Sequence, residues 1–160
     1  MLLTTLILLP LVGALAIMLA GRGGNHANEA RYIALFTTCV TFAVSLFLWV
    51  GFDPASAEFQ FAEKREWLSG LGVDYALGID GISLFMVLLT TFLMPICILC
   101  SWEAITERVR AFMVSFLVLE SMVIGVFSAL DAIVFYFFFE GMLIPMYLII
   151  GIWGGHNRVY

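Results

Sequence analysis

Five stretches of this 160-residue chain, each about twenty residues long, are almost free of charge. No other feature limits its fold as strongly. They cover residues 2–20, 32–52, 82–100, 111–130 and 132–153. At about 1.5 Å of rise per residue, a helix of each length crosses a hydrocarbon core of about 30 Å. Lipid offers backbone N–H and C=O groups no partners, and no alternating ten-residue barrel pattern occurs, so the stretches are expected to be helices. Composition agrees: 63% of the residues are hydrophobic and only 12% charged, too apolar for the polar surface of a soluble domain. The fold class expected is therefore all-α integral membrane with five transmembrane helices. The first span lacks a basic leader region and is too long for a secretory signal, so it is expected to stay in the protein.

The net charge of -5 includes only 7 Lys and Arg, scattered along the chain, which argues against a nucleic-acid partner; lipid is the partner expected. If every span crosses, Arg22, Arg31, Arg108, Arg110 and Arg158 share one side, and Lys64 and Arg65 lie on the other among six acids. This bias places the amino terminus outside (periplasmic) and the Tyr160 end in the cytoplasm. The 53–81 connection is read as an extramembrane loop, with Trp67 and Tyr75 suited to headgroup level. Asp80 and Asp131 are read as amino-terminal caps of the third and fifth spans. Cys39, Cys97 and Cys100 all fall in apolar runs and are read as packing residues, and His26 and His156 as solvated loop residues, so no metal site is expected.

Two carboxylic acids interrupt the spans: Glu120 in the fourth and Glu140 in the fifth. A carboxylate at mid-membrane costs between about 3 and more than 10 kcal/mol, so such a group needs a function or a buried partner. Counted from the turn at 131, the two lie at about 15 and 12 Å depth. If both face the same interior, one proton can be shared between them; the rotation of each helix decides. Tyr136 and Tyr147, four residues before and seven after Glu140, share its helical face. Pro145 lacks an N–H and leaves the carbonyl of Gly141 unpaired beside the acid, a natural place for water. Such a defect belongs against protein or a wet cavity, so this face is expected to look into the bundle. The bland alternatives are a locked ion pair for Glu140 and a structural hydrogen bond for Glu120.

Residues 131–155, DAIVFYFFFEGMLIPMYLIIGIWGG, resemble the fifth-helix signature of the antiporter-like membrane subunits of respiratory complex I, the proton-translocating NADH:quinone oxidoreductase. The stretch from Glu140 to Tyr147, EGMLIPMY, is similar to the chain 4 (subunit M) type, and residues 75–83, YALGIDGIS, add a second piece. The resemblance runs the length of the chain. It implies the amino-terminal part of one larger antiporter-like helix bundle, over residues 1–160, in a bacterial inner membrane. Other membrane subunits of the complex, antiporter-like neighbours included, would be its partners. It also implies that Glu140 is the fifth-helix acid of a proton path, acting with lysines on later helices that this stretch lacks. No cofactor is expected in this chain; NADH, FMN, iron–sulfur clusters and quinone would belong to partner subunits. The rival readings are a subunit of a multisubunit cation/proton antiporter without redox partners, and a non-catalytic membrane anchor.

Overall fold

The computed structural model describes residues 1–20, 27–56, 58–68 and 73–155. The chain forms α1 (Leu2–Ala20), α2 (Ala27–Gly51), β1 (Gln60–Leu68), β2 (Val73–Ile79), α3 (Gly81–Ala104), α4 (Val109–Ser128) and α5 (Ala132–Trp153). All five helices are long and apolar enough to cross a membrane. Those of α2 and α3 run beyond the apolar spans, because charges at a helix end do not stop its hydrogen bonding. Arg31, in the second turn of α2, is held by the carbonyl of Ile105 at 2.8 Å and lies 5.8 Å from the Trp102 ring centroid.

Helix α4 is the hub and packs against α1, α2, α3 and α5. Apolar helices have no hydrophobic drive to associate within lipid, so close packing and polar contacts must select their neighbours. Gly13 of α1 shows the first device: a Cβ there would stand 2.5 Å from the Thr37 side chain of α2. Ser121 of α4 shows the second, donating to the carbonyl of Ile7 in α1 at 2.6 Å. The core then divides by level. Leu48, Leu84, Val87, Leu88 and Ile124 pack together toward one end, and Ala34, Ile98, Met113 and Leu117 toward the other. Between these levels the helices bury Thr41, Ser45, Thr91, Glu120 and Ser121.

The 53–81 connection, read from sequence as a loop, contains an antiparallel hairpin, β1 with β2, in register at Glu63↔Leu77 and Arg65↔Tyr75. Its irregularity between Gln60 and Glu63 contains Phe61 at φ 53, the kink expected of a bulge. Helix ends hold it in place, which is why local sequence did not betray it. Glu63 takes the amino group of Met1 at 2.8 Å, the N–H of Leu3 at 3.0 Å and the hydroxyl of Thr4, a carboxylate at a helix amino terminus. Burial pushes the Glu63 carboxyl up, but those donors together outweigh it and hold it below the ordinary glutamate value. On the other edge Leu130 donates to the carbonyl of Ala76 at 2.9 Å, and Leu77 bridges Ala129. The hairpin thus joins the start of α1 to the turn between α4 and α5. At the opposite end, Arg110 donates to the carbonyl of Ile17 at 3.1 Å, and the Trp153 indole to that of Glu107 at 2.8 Å. His26 and His156 lie outside the described residues.

Candidate functional site

Helix α5 begins at Asp131, whose carboxylate accepts from the N–H groups of Ile133 and Val134 at 2.8 and 3.3 Å. Asp80 caps α3 in the same manner, accepting from Ser83 at 2.7 Å. Those backbone bonds hold the Asp80 carboxyl below its ordinary value. The rotation of α5 is set by α4. Phe138 lies over Gly125, and Gly141 faces Met122 so closely that a Cβ would be 2.9 Å from its sulfur. At about 100° per residue, Glu140 leaves the helix about 200° round from Phe138, and Tyr136 and Tyr147 fall on that same far side.

The outcome is a polar face turned away from α4. Glu140 is exposed, as are Tyr136 (60%) and Tyr147 (77%), and Pro145 is buried. Among the described residues that face is left open: α5 packs on α4 through its opposite side, where Gly125 and Gly141 are small enough to admit the contact. The face forms a groove of 720 Å³ that includes Tyr136, Glu140, Gly141, Tyr147 and Trp67. The Tyr136 phenol interacts with the Glu140 carboxylate one turn on. Trp67, from β1, reaches over and meets Phe137 edge to face at 5.6 Å. The groove is therefore mostly apolar and holds one carboxyl and two phenols; Gly141, to whose carbonyl Pro145 cannot donate, also lines it. Such a set can gain, lose and pass on a proton; among the described residues it contains no cation to lock the acid.

Glu120 stands elsewhere. Ser121 beside it points to α1 and Met122 to α5, so Glu120, about 200° round from Met122, leaves α4 on the side of α2 and α3. It is fully buried, and among the described residues neither carboxyl oxygen has a hydrogen-bond partner. The two acids of the sequence reading are accordingly not brought together, and no proton is shared directly between them. Sequence reasoning missed the buried hydroxyls of α2, although Thr37, Thr41 and Ser45 recur every fourth residue, the signal of a single helical face. It also missed the reach of Trp67 to the groove, which depends on the hairpin. Among the described residues, no group of three or more His, Cys, Asp and Glu side chains is placed to hold a metal ion.

A bundle of five helices, each long and apolar enough to cross a membrane, defines a polytopic membrane protein. The family described as NADH-ubiquinone oxidoreductase chain 4, amino terminus, matches residues 1–126, and the chain belongs to that family. NADH-quinone oxidoreductase subunit M of Rhodobacter capsulatus is 52% identical over 161 residues, covering 99% of this chain and 31% of the relative. NADH-ubiquinone oxidoreductase chain 4 of Arabidopsis thaliana is 44% identical over 156 residues, covering 98% and 31%. Among solved structures, a chain of respiratory complex I from Thermus thermophilus with bound NADH superposes with a TM-score of 0.79 at 27% identity, covering 99% of this chain and 30% of that one. The chain thus spans about a third of the length of the relatives it matches. The family match ends within α4, so Glu140 is reached only by the pairwise comparisons.

Proposed function

We propose that the chain forms part of a proton-translocating membrane subunit of NADH:quinone oxidoreductase, with Glu140 as the group of its α5 that takes up and releases protons. The observation that carries this reading is the Glu140 groove. A carboxyl lies mid-helix, beside the carbonyl freed by Pro145 and between two phenols, on a face that the described helices leave open. The relatives are about three times as long, and further chain covering that face would turn the groove into an internal path. Residues 1–160 would then be the amino-terminal part of one antiporter-like domain, with 53–81 outside the bilayer. The catalytic contribution of this chain is to hold and move a proton at the Glu140 carboxyl, oriented by Tyr136 and kept from the hairpin side by Trp67. Tyr147, Gly141 and Pro145 support the path with a phenol and a carbonyl that can hydrogen-bond water.

The partners are the other membrane subunits of the complex, among them antiporter-like neighbours. NADH, FMN, the iron–sulfur clusters and quinone are carried by partner subunits, which supply the redox chemistry. The location is a bacterial inner membrane, with the amino terminus periplasmic and the Tyr160 end cytoplasmic, as the basic residues argue. The family match favours this reading over a cation/proton antiporter without redox partners. Purification of the tagged full-length protein in mild detergent tests it. Flavin, iron–sulfur clusters and NADH:quinone activity are expected in the preparation. A preparation that lacks them but exchanges sodium for protons contradicts the proposal.

A further inference from the structure

The Glu120 carboxyl poses a separate problem. Its level in α4 lies between Leu117, which packs with Ala34 and Ile98, and Ile124, which packs with Leu48, Leu84, Val87 and Leu88. Between those levels α2 and α3 bury the hydroxyl side chains of Thr41, Ser45 and Thr91 completely, with Met94 the apolar neighbour on α3. The Ser45 and Thr91 hydroxyl oxygens are 2.8 Å apart. Each also lies near carbonyls of its own helix, Ser45 2.7 Å from that of Phe42 and Thr91 3.1 Å from those of Val87 and Leu88. Two hydroxyls hold only two protons, so both oxygens keep lone pairs able to accept a further hydrogen bond.

Charged groups from the packed elements are remote from this level. Helix α1 has none. Glu29 and Arg31 lie in the first two turns of α2, the latter bound to Asn28 and Ile105; Glu103 lies in the last turn of α3. Arg110, about 15 Å away along α4, reaches carbonyls of α1. Glu140 is on the face of α5 turned away from α4, and in the hairpin Asp74 is paired with Lys64 at 2.8 Å and Glu63 with Met1. An ionised carboxylate enclosed without a cation or a hydrogen-bond donor is costly enough that such a site holds the neutral acid. A neutral acid has one O–H to donate and a carbonyl that accepts.

We propose that Glu120, Ser45 and Thr91, with Thr41 one turn along α2, form a buried proton-holding site within the α1–α4 core, taking a proton with its hydrating water and separate from the Glu140 groove. The step is simple: hydronium gives a proton to the carboxylate, leaving water and a carboxylic acid, whose O–H is then accepted by that water between it and the Ser45–Thr91 pair. The site gives Glu120 a role of its own and does not depend on Glu140 carrying protons.

Infrared spectroscopy of the full-length protein in its assembled complex tests the site without relying on activity. At neutral pH the spectrum is expected to contain the C=O stretch of a protonated carboxylic acid that is lost in Glu120→Gln, persists in Glu140→Gln and shifts in deuterium oxide. Identical spectra for the wild type and Glu120→Gln in that region overturn the proposal. So does a band that deuterium oxide leaves unmoved, since the site would then exchange no proton with water. Thr91→Val provides a second measurement with Glu120 untouched: the acid band is expected to move, and an unmoved band removes the hydroxyl pair from the site.

Discussion

The ring of Phe138 on α5 fills the space that a side chain at Gly125 on α4 would need: a Cβ at Gly125 would stand 2.4 Å from the ring. This contact fixes which side of α5 meets the bundle and, with it, the outward direction of Glu140. Gly125→Ala is expected to destabilise the assembled protein by about 1–3 kcal/mol, the usual cost of overpacking. At Gly141 the neighbour is the flexible end of Met122, so Gly141→Ala is expected to cost less. Thermal unfolding of the two variants in detergent checks the order; equal melting temperatures would contradict the packing account.

The hairpin is expected to loosen with acid. Because the native environment lowers the Glu63 value, its carboxylate stabilises the docked hairpin fully above the ordinary glutamate range, and that contribution is lost as pH falls through the lowered value. Glu63→Gln should weaken docking at neutral pH by at most about 1.5–3 kcal/mol, the range for a hydrogen bond to a charged group. Proteolysis at Lys64 and Arg65 is the measurement: cleavage should be faster in Glu63→Gln at neutral pH, and the difference from wild type should vanish at low pH. Lys64→Ala is the control. Its ion pair with Asp74 is largely exposed, so protection by the α1 contacts should be unchanged.

How far the sequence could be read depends on the physics of each element. Hydropathy found five helices because lipid admits little else, and the bounds of α1 and α5 coincide with the apolar spans. It stopped short on α2 and α3, where Glu29, Arg31 and Glu103 lie inside helices whose ends face polar surroundings. The hairpin was not legible, since Glu63 and Ala76 find their partners in α1 and in the α4–α5 turn. Glu140 and Glu120 were legible as ionisable groups within spans, but the direction in which each side chain leaves its helix was not. A helix apolar on every side carries no sign of which face its neighbours take, and small residues such as Gly125 decided it.

Topology is open to a direct check. After replacement of Cys39, Cys97 and Cys100, single cysteines at Lys64 and Arg108 are expected to react with a membrane-impermeant reagent from opposite sides, Lys64 from the periplasm. Labelling of both from one side would contradict the count of spans.

Ser121 offers a milder probe of the α1–α4 contact. Its hydroxyl bonds a carbonyl that also belongs to a helix, so Ser121→Ala is expected to cost only about 0.5–1 kcal/mol. Ser121→Leu should separate the helices and lower the yield of assembled complex, as judged by native gels. A normal yield from Ser121→Leu would contradict the close approach.

The role of Glu140 is tested most directly by proton pumping driven by NADH oxidation in vesicles containing the full-length Glu140→Gln protein in its complex. The glutamine side chain is nearly isosteric with glutamate, so assembly is expected to be unaffected while protons moved per NADH fall sharply. An unchanged ratio in a fully assembled complex would take Glu140 out of the path.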